Sequence, residues 1–205
     1  HYMKDKDGKS IPDGKELSEK LIEKFSIPND GIFDLAKISQ YVEYKNKGRK
    51  ELIAYIRECL SDIRPDDDMM WIPSMRWKAI FTTNFDNAIQ LVYDMHKSPV
   101  QNYITITKST GFKDYIPQTE VPIIHLHGAL FEEGSPDIII TQQDYIKYKT
   151  QRKMMFDYLK HQMAFSCMLY IGYSNNDPNW NLLISEIEEE FYPNMLPTSF
   201  RIDPY

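Results

Sequence analysis

The spacing of apolar residues changes character at about residue 77, and the two stretches predict different kinds of structure. In the first, apolar positions recur every three or four residues. Asp13-Gly14 opens a helix over Lys15 to Phe25, with Leu17, Leu21, Ile22 and Phe25 on one face. Pro28-Asn29-Asp30-Gly31 breaks it. Two more helices are expected over residues 32–44 and 49–63. Phe33, Ile38 and Val42 mark the buried side of the first, and Leu52, Ile53, Ile56 and Leu60 that of the second. Arg64-Pro65-Asp66-Asp67-Asp68 closes the run, and the polar Lys4–Ser10 stretch reads as a loop. Residues of about 30–75 thus form an all-helical module.

From Trp77 onward, short apolar runs alternate with helical patterns. Strands are expected at 78–83, 102–107, 121–127, 137–141, 167–173 and 199–203, and helices at 86–96, 142–164 and 178–191. Ile138-Ile139-Ile140 and Met168-Leu169-Tyr170-Ile171 are apolar at every position, as in a sheet covered on both faces. Strands alternating with helices mean βαβ units and a mainly parallel sheet with helices on both faces. In the last helix Trp180, Ile184, Ile187 and Phe191 share a stripe, with Glu186, Glu188, Glu189 and Glu190 mostly outside it.

Three polar motifs each follow an apolar run. They are Thr82-Thr83-Asn84-Phe85-Asp86, His125-Leu126-His127-Gly128 and Gly172-Tyr173-Ser174-Asn175-Asn176-Asp177. In an open parallel sheet, ligands bind outside the carboxyl ends of the strands, where such loops converge. Asn84 offers two donors and an acceptor, suited to a ribose hydroxyl or a carboxamide, although an Asx turn uses the same groups. Asp86 fits the N-cap of helix 87–96, a role compatible with function. His125 and His127 lie on one face of their strand. His127 is nearer the rim and precedes a glycine that permits an unusual turn, so it is the candidate general base, and His125 the buried, hydrogen-bonded partner. The Gly172 loop enters a helix at Pro178 and can cradle a diphosphate or a ribose.

Composition narrows the classes. A chain of 205 residues can bury one substantial core. A net charge of −6 and a pI near 5.4 argue against a nucleic-acid-binding domain, so nucleic acid is expected only through other domains. The basic run Lys147, Lys149, Arg152, Lys153 and Lys160 reads as a solvated helix face. Two cysteines, Cys59 and Cys167, exclude a four-cysteine zinc site and a disulfide framework, and Cys167 reads as a small buried hydrophobe. No signal-peptide pattern or membrane-length apolar stretch is visible, which points to a soluble protein of a reducing, cytoplasmic compartment.

Taken in order, Thr-Asn-Phe-Asp, Leu-His-Gly and Gly-Tyr-Ser-x-x-Asp resemble the sirtuin-like domains of bacterial anti-phage defence proteins, of the Thoeris and Argonaute-associated types. Ile11-Pro12-Asp13-Gly14-Lys15-Glu16-Leu17 and Thr141-Gln142-Gln143-Asp144-Tyr145 add smaller matches. The resemblance implies a single Rossmann-like α/β domain over 1–205 with a helical insertion, cleaving the nicotinamide–ribose bond of NAD. It places Asn84 and His127 on the catalytic pair and Asp86 on the nicotinamide-ribose contact. Thr83, Gly128, Gly172, Ser174 and Asp177 fall around the substrate. NAD is substrate, with no further cofactor and no zinc.

The family's opening strand and Gly-Ala-Gly loop are not visible before Lys4, and relatives continue past Tyr205. A piece of a longer multidomain protein is therefore expected, working as a homo-oligomer with an attached or associated sensor domain. Two other readings stand beside hydrolysis: a non-catalytic NAD or ADP-ribose sensor, and a protein deacylase.

Overall fold

The computed structural model describes residues 3–4, 8, 10–28, 31, 33–45, 48–61, 63–132, 137–173, 178–192 and 195–202. β1 (Met3–Lys4) is followed by α1 (Gly14–Phe25), α2 (Leu35–Lys45) and α3 (Arg49–Cys59). The chain then returns as β2 (Arg64–Pro65), antiparallel to β1, a ladder that the polar sequences of both segments did not announce. α1 begins where it does because Asp13 accepts from the Glu16 N–H at 2.8 Å while the Glu16 carboxylate accepts from the Asp13 N–H at 3.0 Å. That reciprocal cap satisfies two donors the helix cannot. α2 starts later than its apolar pattern, since Asp34 Oδ1 takes the N–H groups of Ala36 and Lys37. Leu17 and Leu21 of α1 close on Ile38, Val42, Leu52, Ile53 and Ile56, so α1, α2 and α3 pack as one helical unit that begins ahead of residue 30.

The sheet follows with β3 (Ile80–Thr82), α4 (Ala88–Met95), β4 (Asn102–Ile106) and β5 (Glu120–His125). All three strands are parallel, in the order β3-β5-β4. β5 is buried from Val121 through His125, so its apolar run meets a covered layer on either side. Val121 and Ile123 pack with Val92 and Tyr93 of α4. Ile124 turns the other way and joins Ile106, Leu159 and Met163. Pro122 is tolerated in a middle strand because pairing with β3 starts only at Ile123.

α5 (Gln142–Gln151), α6 (Lys153–Phe165), β6 (Leu169–Ile171), α7 (Pro178–Phe191) and β7 (Phe200–Ile202) complete the chain. β6 and β7 form a second parallel pair, with Leu169 opposite Phe200. The architecture is the expected α/β one, a parallel sheet flanked by helices and carrying a helical module. On α7, Leu183 and Ile187 are buried, with Ile184 and Phe191 half-buried beside them, while the Trp180 side chain lies outside the described residues. No helix among the described residues is long and apolar enough to cross a membrane.

Four expectations are corrected. Residues 137–141 are not a strand. Ile138, Ile139 and Ile140 are buried, and the Ile139 N–H reaches the His127 carbonyl at 2.9 Å, but that contact lies beyond the end of β5, where no ladder continues. The helix expected over 142–164 is two helices, α5 and α6, broken at Arg152. Arg152 is not part of a solvated face: it is 2% exposed, turned inward onto backbone carbonyls. Lys147 and Lys153 are exposed as expected, and Lys160 pairs with Glu186 at 2.9 Å. Cys167 is exposed, because it sits in the link before β6 rather than in the strand.

Candidate active site

Thr82 and His125 are directly opposite each other at the carboxyl ends of β3 and β5, and the Leu126 N–H donates to the Thr82 carbonyl at 2.9 Å. The first two motifs therefore leave the sheet side by side. After β3, Thr82 Oγ1 accepts from the Asn84 N–H at 3.0 Å, a turn that leaves Asn84 exposed at the strand tip. Asp86 Oδ1 then accepts from the Ala88 N–H at 3.0 Å, a local turn just ahead of α4; Asp86 is not the predicted N-cap, because the helix starts one residue later and Asn87 takes that place with no side-chain cap bond. Burial raises the Asp86 carboxyl above the ordinary carboxylate range, against the lowering effect of the backbone N–H groups of Ala88 and Asp86.

The two histidines are both buried but face different surroundings. His127 lines the cleft beside Asn84 and stands among the rings of Tyr145, Tyr148 and Phe85, at centroid distances of 5.3, 5.7 and 6.5 Å. His125 looks into the protein, its Nδ1 3.1 Å from the Asn84 carbonyl oxygen and its Nε2 2.8 Å from Gln90 Nε2. Burial, aided by the Arg152 charge, lowers His125 to about 4, against the opposing pull of the Asn84 carbonyl and Glu132. It is thus neutral when folded. As pH falls, the unfolded chain takes up this proton first, so the contribution to stability is complete above about pH 6.5 and is lost toward about pH 4. Denaturant unfolding across that window should show a loss of roughly 3 kcal/mol at most from this group. A His125→Asn protein should lack that slope.

Gly128 makes possible the turn that follows the two histidines. Its φ is +81°, and a Cβ there would collide with the Asp137 backbone carbonyl. The Gly128 N–H also closes back on the His125 carbonyl at 3.0 Å. Gly128→Ala should cost about 2 kcal/mol or more through left-handed backbone and overlap. A thermal melt indistinguishable from that of the unsubstituted protein would show that the turn relaxes freely.

Thr83, Asn84, Asp86, His127 and Gly172 all line one long cleft of about 2270 Å³, which runs along the length of β3 and β6, from Met75 and Phe165 ahead of them to their carboxyl ends, and reaches α1 and α5. That exceeds the roughly 300–1,000 Å³ of an ordinary small-molecule pocket and leaves room for an extended ligand. Gly128 shapes the turn without lining the cleft. Ser174 and Asp177 lie outside the described residues. Among the described residues, no three His, Cys, Asp or Glu side chains are grouped as metal ligands.

Sequence reading missed the residues that hold this rim in place. Arg152 donates to the carbonyls of Thr107 at 2.6 Å and His125 at 3.4 Å and also reaches the Asp137 carbonyl, tying the ends of β4 and β5 to the returning chain. Arg57 of α3 donates to the Leu130 carbonyl at 2.9 Å, and Arg49 pairs with Asp144 at 2.9 Å, so the helical module grips the same turn from the other side. The Thr141 motif is the N-cap of α5: Thr141 Oγ1 and the Asp144 carboxylate exchange bonds with each other's N–H, and this cap aims Tyr145 at His127. The one available signal was Gln90, a polar residue inside the apolar run Ala88-Ile89-Gln90-Leu91-Val92.

The SIR2-like domain family matches residues 78–202, more than half of the chain and all of the β3–β7 sheet region. The chain belongs to the SIR2-like domain family. Three similar proteins bear the name NAD(+) hydrolase ThsA. The one from Acinetobacter baumannii (strain 532279) is 26% identical over 197 residues, covering 91% of this chain and 39% of that protein. The Enterococcus faecium protein is 24% identical over 170 residues, covering 80% of this chain and 34% of its own length. That of Cytobacillus dafuensis is 22% identical over 175 residues, with 84% and 34% covered. This SIR2-like chain therefore spans roughly a third to two fifths of the length of the curated relatives it matches.

Proposed function

We propose that this SIR2-like domain binds NAD across the carboxyl ends of β3, β5 and β6 and hydrolyses its nicotinamide–ribose bond. The observation that carries the reading is that Asn84 and His127 leave two directly paired strands and line the same cleft. The relatives named NAD(+) hydrolase support the choice of substrate. The resemblance to anti-phage defence proteins supports a role in NAD depletion there, with an attached or associated sensor domain and homo-oligomer assembly.

In this reading the departing nicotinamide leaves positive charge on the ribose, as in glycoside cleavage. Asn84, exposed at the tip of β3, holds a ribose hydroxyl or the attacking water through its amide. His127 takes a proton from that water or hydroxyl. Its aromatic surroundings keep the ring in one orientation, so the proton acceptor is positioned before substrate arrives. Asp86 sits at the same rim and favours the developing cation. Gly172, at positive φ after β6, lets the backbone approach the ribose or diphosphate closely.

Incubation of the full-length protein with NAD, followed by chromatography, should release nicotinamide and ADP-ribose in equal amounts. Intact NAD recovered from protein that binds it would favour a sensor over an enzyme. Asp86 supplies a sharper prediction. Asp86→Asn keeps the acceptor for the Ala88 N–H while removing a carboxylate whose ionisation burial disfavours. Its melting temperature at neutral pH should rise while NAD turnover falls about 10²-fold. Unchanged turnover would remove Asp86 from the chemistry.

A further inference from the structure

Gln90 is 5% exposed in α4, the one polar side chain among the helix's buried positions Ala88, Gln90, Val92 and Tyr93. A leucine or methionine would fill the volume but would leave the polar atoms that face it without a donor. Instead a buried amide is kept there. Its Nε2 lies 3.1 Å from Thr105 Oγ1 and 2.8 Å from His125 Nε2, and its Oε1 has no hydrogen-bond partner among the described residues. A buried amide that leaves its acceptor unmatched costs stability, which calls for a reason in function.

Proton accounting on the imidazole supplies that reason. The Asn84 backbone oxygen can only accept, so the His125 nitrogen facing it, Nδ1, must carry a hydrogen. A neutral ring has one proton, which leaves Nε2 as a bare acceptor. Gln90 meets that acceptor with an N–H and directs its second N–H to Thr105 Oγ1. The opposite tautomer would set Nε2–H against an N–H donor and a bare Nδ1 against a carbonyl, two repulsive contacts at once. Helix α4, strand β4 and strand β5 are thus joined through one amide to the loop that presents Asn84.

We propose that Gln90 is a positioning residue of the site: by donating to His125 Nε2 it holds the ring proton on Nδ1, and that Nδ1–H fixes the Asn84 carbonyl and with it the aim of the Asn84 amide into the cleft. This inference rests on the reading of Asn84 as a substrate-contacting residue. Glu132 and Arg152 are the charged groups that also act on His125, and they enter equally in the protein and its Gln90 variants.

Two substitutions in the full-length protein test it. Gln90→Glu has the same shape, and its carboxylate only accepts, so it draws a proton onto Nε2, giving the Nε2–H tautomer or the imidazolium. Gln90→Met fills the volume and offers no donor. Nitrogen-15 NMR of the histidine rings should show His125 protonated at Nδ1 alone in the unsubstituted protein and carrying a proton on Nε2 in Gln90→Glu. NAD turnover by both variants should fall about 10²-fold in kcat, the scale of a misplaced reactive group, with KM little changed. If both variants keep Nδ1 protonated with Nε2 bare and keep the original kcat, the inference is wrong. If the unsubstituted protein cleaves no NAD, the proposed function fails, and the ring spectrum still decides the relay: Nε2–H in the unsubstituted protein overturns it regardless of activity.

Discussion

His127→Ala and Asn84→Ala should each lower NAD turnover by about 10²–10⁴, the usual loss on removing one positioned acid–base or polar group. Their effects on stability should differ, and that difference makes the test decisive. Asn84 is exposed, and what the structure holds fixed there is its backbone, whose N–H meets Thr82 Oγ1 and whose carbonyl meets His125 Nδ1. Truncating its side chain leaves both bonds, so the unfolding free energy should stay within about 0.5 kcal/mol. His127 is 5% exposed among three aromatic rings, and alanine there opens a cavity. His127→Gln, which refills much of that space without a base of comparable strength, separates lost chemistry from lost packing. Nicotinamide release and a thermal melt on the same samples measure both. A well-folded His127→Gln protein that turns over NAD at a near-normal rate would remove His127 as the base.

Strand geometry ranks the two histidines by distance from the rim, and both are buried in the structure. What the sequence could not show is the setting of His125, enclosed by groups that come from far along the chain, Gln90 on α4 and Arg152 at the α5–α6 break. The helical module was legible in the sequence. Leu17, Leu21, Ile38, Val42, Leu52, Ile53 and Ile56 follow a helical period, and helices that bury one stripe have few alternatives. Residues 137–141 misled because Ile138-Ile139-Ile140 is as apolar as a central strand, and burial alone does not distinguish a strand from an extended chain tucked beneath a helical module. Arg152 misled for the opposite reason. A basic residue among lysines reads as solvated, and only tertiary structure shows three carbonyls converging on it.

Arg152 should be the costliest polar residue to lose outside the cleft. Its guanidinium donates to the Thr107, His125 and Asp137 carbonyls, and Asp137 supplies a carboxylate at 3.5 Å. In Arg152→Met the His125 carbonyl keeps the Gly128 N–H, but the Thr107 carbonyl, on a residue 8% exposed, loses the donor that Arg152 brings. A buried acceptor deprived of a charged donor, together with loosened closure of the β4 and β5 ends, should cost about 2–4 kcal/mol. For a chain of this size that is a fall of about 6–12 °C in melting temperature. Arg152→Lys should recover only part of it, since one ammonium cannot reach three diverging carbonyls as a planar fork does. The loss should vary little with salt, because the side chain is buried and scarcely screened. Turnover should fall too, since the same carbonyls fix the turn that carries His127. Equal melting temperatures for Arg152→Met and the unsubstituted protein would mean that the turn is held by Gly128 and the helical module alone.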